Sequence, residues 1–135
     1  MWEAFLLYHG GAMQKEIETR EDVVQLVDAF YSKVLSDDLL APHFERINFP
    51  EHKPRIIQFW SFVLLNEEGY TTNVFDKHRN LKIDQRHFDR WLELFNKTVD
   101  ELFVGEKAND AKFRAKTIGW TFSEKMKQLR LTDQK

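Results

Sequence analysis

Cysteine is absent from the 135 residues, which excludes disulfides, a thiolate metal site and thioether attachment of a prosthetic group. Any cofactor is therefore held without a covalent bond. Net charge is nearly absent too: 20 basic residues face 22 acidic ones, for a balance of −2, so nothing marks a nucleic-acid or anionic membrane partner. The longest apolar runs, Ala4 to Tyr8 and Phe62 to Leu65, fall far short of a membrane span, and the first residues lack the basic flank of a secretory signal. A cytoplasmic location is expected. No glycine-rich phosphate loop, nucleophile elbow or His-Glu-x-x-His is present.

What the chain has is aromatic mass. Aromatics make up 14% of the residues, with 12 Phe and 4 Trp, within a composition that is 42% hydrophobic and 31% charged. That is globular composition of a length for one domain. Such a load fits a core that wraps a flat ligand and equally a phenylalanine-rich helical core.

Helical periodicity dominates. Residues 1–15 read as a partly disordered extension: Trp2, Phe5, Leu6 and Tyr8 suit a helical turn packed on the body, Gly10-Gly11 interrupts it, and Met13 offers an internal start. Thr19 with Asp22 resembles a capping box, and Val24, Val27, Tyr31, Val34 and Leu35 then recur at helical spacing until Ser36-Asp37-Asp38. Residues 39–49 read as a turn-rich connection carrying Pro42, His43 and Phe44. Pro50 and Pro54 bracket the first turn of the next helix, whose apolar stripe is His52, Ile56, Phe59, Trp60 and Val63 and which stops by Asn66.

Residues 67–83 read as a loop with one short helix ending near His78. Asp84 caps the clearest helix, carrying Phe88, Trp91, Leu92, Phe95, Val99 and Leu102 up to Gly105. The last helix, capped at Asn109 or Asp110, spreads Phe113, Ile118, Trp120, Phe122, Met126 and Leu129 widely enough to predict contact on two sides. With no repeat and no sustained strand pattern, the class is all-α.

His78 is the histidine whose setting differs. Phe75 and Leu81 stand three residues to either side, so its ring faces inward, either as a satisfied core histidine or as an axial ligand to haem iron. Tyr31 and His52 are polar groups on apolar faces and need partners, while the Trp91 indole can only donate. All three read equally as core. His43 and His87 read as exposed, and neither forms a metal pair with a carboxylate at helical spacing.

Several stretches together resemble the group III truncated haemoglobins. They are Ala29-Phe30-Tyr31-Ser32-Lys33-Val34, Glu51-His52-Lys53-Pro54 leading into Phe59-Trp60, Asp76-Lys77-His78 with Leu81, and Phe88 with Trp91-Leu92-Glu93-Leu94-Phe95. The resemblance runs over residues 16–130 in one order and implies a two-over-two globin, occupying 16–135, around a non-covalent haem b. It makes His78 the proximal ligand and Tyr31, His52 and Trp91 the distal residues. Phe30, Phe44, Ile56, Phe59, Phe88, Leu92 and Phe95 would line the pocket, with Arg55 reaching a propionate. The function implied is binding of dioxygen, nitric oxide or another diatomic ligand at ferrous iron, extending to oxygen transport, nitric oxide dioxygenation or peroxide chemistry. Turnover would need a separate reductase. The alternative is a haem-free all-α interaction module.

Overall fold

The protein was analysed as a computed structural model that describes residues 14–45, 49–67 and 83–133. Five helices occupy these stretches: α1, Arg20–Leu35; α2, Ala41–Phe44; α3, Phe49–Leu65; α4, Gln85–Leu102; and α5, Glu106–Asp133. The expectations for 1–13 and for the segment carrying His78 lie outside the described residues.

Local chemistry sets the helix ends. Thr19 accepts from the Asp22 N–H at 3.2 Å, while the Asp22 carboxylate accepts from the Thr19 and Glu18 N–H groups at 3.0 and 2.8 Å and from Lys15 at 2.7 Å. Both halves of the capping box are therefore made. Burial of Asp22 favours its neutral acid, but the Lys15 and backbone donors outweigh this and hold its pKa below the carboxylate norm. At the end of α3, Asn66 takes the left-handed conformation, φ 59°, and Lys107 Nζ caps the Leu64 carbonyl at 2.8 Å. Gly105, φ 100°, turns the chain from α4 into α5 where a Cβ would sit 2.7 Å from the Glu16 carboxylate.

Three expected boundaries differ. The connection after α1 contains the short helix α2, started by Pro42. Helix α3 begins at Phe49, so Pro54 lies inside it rather than in its first turn. Helix α5 begins at Glu106, directly after the Gly105 turn, instead of at an Asn109 or Asp110 cap.

Helices α4 and α5 form the most extensive pairing, α1 packs on both α3 and α4, and α3 reaches α5. The described helices pack as an all-α domain, the class that the sequence pattern predicts. The core between them holds Val23, Leu26, Val27, Phe30 and Val34 of α1, Ile57, Trp60 and Leu64 of α3, and Leu94, Phe95 and Val99 of α4. The deepest faces are rotated from the predicted ones. On α3 the buried residues are Ile57, Trp60, Ser61 and Leu64, while His52, Ile56, Phe59 and Val63 form a half-buried flank beside them. Leu35 is exposed. Ion pairs fasten α1 to its neighbours: Asp28 with Lys53 of α3 at 2.6 Å and Lys33 with Glu101 of α4 at 2.8 Å.

Candidate functional site

An aromatic chain joins α1 to α4. Phe30, 1% exposed, sits edge-on to Tyr31, Trp91 and Phe95 at 4.8, 5.5 and 5.1 Å between ring centres. Phe95 stacks between Trp60 at 4.9 Å and Trp91 at 5.8 Å. Phe30 and Phe95 are held by the core, and the half-buried Trp91 rests against both of them. Tyr31 is flanked by Phe44 of α2 at 6.3 Å and by Phe49 of α3 at 5.1 Å.

The Tyr31 hydroxyl lies within this apolar setting. Burial pushes its pKa up to about 12, with a hydrogen bond from Trp91 pulling the other way. Indole can only donate, so in an interaction of Trp91 with Tyr31 the phenol oxygen is the acceptor and the hydroxyl proton stays available.

The structure brings Tyr31, Trp91, Phe30, Phe44 and Phe95 together, and packs Ile56, Phe59 and Leu92 against the same core. His52 is half-buried at the start of that α3 flank, and Arg55 beside it is exposed. Phe88 sits elsewhere, in a smaller cluster with Ile83 and Met126 against Phe122 and Leu129. Phe49 was missing from the sequence reading. Its place immediately before Pro50, where the chain enters α3, is the signal that could have found it.

The two histidines expected on the surface are also corrected. His87 is 7% exposed and lies 4.4 Å, edge to face, from the half-buried His43. It is buried because it completes a capping box: its Nδ1 accepts from the Asp84 N–H at 3.0 Å, a role usually filled by Glu or Gln. Asp84, bonded by Arg86, is held at a pKa of about 2. Close by, Asp37 joins α2 to α4, accepting from Leu39, Leu40 and the Arg90 guanidinium, the last at 2.7 Å.

Burial, and then the neighbouring His87, depress the pKa of His43 below 6.5, with Asp84 opposing them. The unfolded chain therefore binds more protons just below that pH, so stability is full above it and is lost as pH falls. Urea midpoints measured between pH 7 and 5 should decline in the wild-type protein and less steeply in His43→Gln.

The comparisons with known proteins identify this arrangement. Residues 13–119 match the family model of the bacterial-like globins. The chain belongs to that family. It is 32% identical over 117 residues to the Group 3 truncated hemoglobin ctb of Campylobacter jejuni, covering 82% of this chain and 92% of that protein. A Group 1 truncated hemoglobin of Tetrahymena thermophila is 28% identical over 82 residues, 60% of this chain and 68% of that one. The crystal structure of the group III truncated hemoglobin from Campylobacter jejuni superposes with a TM-score of 0.77 at 30% identity, covering 84% of this chain and 95% of that one. The resemblance to group III truncated haemoglobins and the all-α truncated-globin fold are thereby established, and membership of the globins implies haem binding.

The residues present fit a haem. A large flat apolar group needs an apolar wall, and the flank of Ile56, Phe59 and Val63 with Trp91 and Leu92 is one that the helices leave half-buried beside a fully buried core. Among the described residues no cluster of His, Cys, Asp or Glu would hold a bare metal ion, and no helix is long and apolar enough to cross a membrane.

Proposed function

We propose that this globin holds haem b without a covalent bond and uses Tyr31, oriented by Trp91, to retain dioxygen or nitric oxide for chemistry rather than for carriage. The observation that carries this reading is Tyr31, half-buried among Phe30, Phe44 and Phe49. A phenol whose pKa is about 12 keeps its proton throughout the physiological range, and its oxygen is already engaged by an indole. What it offers is therefore a hydrogen bond to something else. A polar donor in an apolar wall stabilises a ligand that carries partial negative charge by about 1.5–3 kcal/mol.

When bound, the haem supplies a ferrous iron that takes a diatomic ligand. His78, identified through the family resemblance carried by Asp76-Lys77-His78 with Leu81, would hold the iron. The absence of cysteine supports non-covalent retention. Ile56, Phe59, Leu92 and Phe44 would bound the group and exclude water. His52, half-buried at the mouth of the α3 flank, would gate entry, and Arg55 would reach a propionate. Phe88 would take part from its own cluster with Ile83 and Met126.

A site with a strong donor releases its ligand slowly, which suits turnover better than delivery. Oxidation of nitric oxide to nitrate by dioxygen, NO + O2 + e− → NO3−, needs one electron per cycle. The chain carries no recognisable flavin or nicotinamide motif, so a separate reductase would supply it. Mixing the reduced, dioxygen-equilibrated protein with nitric oxide should yield about one nitrate per chain and leave the protein oxidised. Recovery of unreacted nitric oxide with no nitrate would refute this chemistry and leave simple ligand binding.

A further inference from the structure

Contact on two sides was expected of α5, and only one side has it among the described residues. Ala108, Ala111, Ala115 and Met126 are buried where α5 packs on α4 and α3. Phe113 and Trp120, by contrast, are 65% and 66% exposed, and Leu131 is 53% exposed. Intervals of seven and eleven residues bring these three within about 20° of one line along a helix of 3.6 residues per turn. The stripe points away from the core, and aligned large apolar groups of this kind mark a surface that something covers.

The chain itself arrives at one end of the stripe. Gln14 donates its side-chain amide to the Asp100 carbonyl, and Lys15 pairs with Leu102 and Val104 through its N–H and C=O at 3.4 and 2.9 Å. Asp100 in turn holds Lys112 at 2.7 Å, the residue next to Phe113. The bridge of Lys15 with Phe103 is parallel, so the described chain at Gln14 and Lys15 runs in the direction of the end of α4. Helices α4 and α5 run antiparallel, as the contacts of Asp100 with Lys112 and of Gln85 with Ser123 require. Read backwards from Lys15 to Gln14, the direction of the described chain is therefore that of α5 from Phe113 toward Trp120.

The composition of the first 13 residues suits such a surface. They hold Trp2, Phe5, Leu6, Leu7 and Tyr8, and Glu3 is their one Asp, Glu, Lys or Arg, opposite in sign to the exposed Lys116 beside the stripe. Thirteen residues extend to about 45 Å at most, and Phe113 to Trp120 spans about 10 Å of helix. The reach is ample.

We infer that residues 1–13 dock within the same chain on the Phe113–Trp120 part of α5, with Phe5 and Leu6 as the main apolar contacts. Since the chain has no cysteine, a single thiol can report this. In full-length Thr117→Cys, placed between the two aromatics, a segment docked about nine-tenths of the time slows alkylation by iodoacetamide about tenfold. Adding Phe5→Ser and Leu6→Ser should restore the fast rate, while a thiol at the exposed Glu21→Cys keeps its rate in both backgrounds. An unchanged rate at position 117 overturns the inference. Protection that grows with protein concentration, in a dimer that Trp120→Ser dissociates, also overturns it, by giving the stripe to a second copy.

Discussion

Replacing Tyr31 with phenylalanine in the haem-loaded protein is expected to raise the dioxygen dissociation rate about ten- to a hundredfold, the equivalent of losing about 1.5–3 kcal/mol from one hydrogen bond to a partly charged ligand. Stopped-flow displacement measures this directly. The association rate should change by less than about threefold, because a hydrogen bond made after entry slows exit and not arrival. Trp91→Phe should have a smaller effect, since the indole acts on the ligand through the Tyr31 oxygen, and the double variant should be no faster than Tyr31→Phe alone. With the Tyr31 pKa near 12, dissociation should stay level from neutral pH up to that of an ordinary phenol, about 10. Equal rates in Tyr31→Phe and wild type would remove Tyr31 from the account. Additive effects of the two changes would make them two independent donors.

Phe95→Ala is expected to cost about 3–5 kcal/mol in urea denaturation, the range for deleting a fully buried aromatic ring. Phe95 is 1% exposed and touches three other rings from three helices, Phe30, Trp60 and Trp91. Its removal leaves a cavity where α1, α3 and α4 meet, and takes from Trp91 the ring stacked on it beside Phe30. The same variant should therefore show faster ligand dissociation as well as lower stability, even though residue 95 donates nothing. Because Phe30 and Phe95 share Trp91 as a neighbour, the loss in Phe30→Ala plus Phe95→Ala should fall short of the sum of the single losses. A cost below about 1 kcal/mol would mean that the site collapses around the gap and that the ring cluster is not what fixes the indole.

The parts of this fold that were legible in the sequence are those decided locally. Thr19 and Asp84 announce helix starts because their side chains bond to N–H groups two or three residues away, whatever packs later. Tyr31 and Trp91 could be singled out since a polar group on an apolar face needs a partner wherever the face lies. What could not be read is which side of a helix is covered, and how deeply. Periodicity groups Phe113 with Trp120 but does not say that they are exposed, and it groups His52 with Trp60 without revealing that the burial on α3 is centred one residue farther round. His87 escaped for a different reason. An imidazole at the third helical position has the acceptor that a capping box needs, yet the usual pattern looks for Glu or Gln there. His78 rests on the resemblance and on its inward-facing spacing.

The decisive measurement is an absorption titration of the apoprotein with haemin, in wild type and in His78→Gly. The account predicts a Soret band that saturates at one haem per chain in wild type. In His78→Gly the band should be shifted or lost, and added imidazole should restore it in the cavity left by the ring. If the variant took up haem with the same stoichiometry, affinity and spectrum as wild type, His78 would not be the axial ligand. If neither protein took up haem, the helices would be those of an interaction module and the pocket an ordinary core.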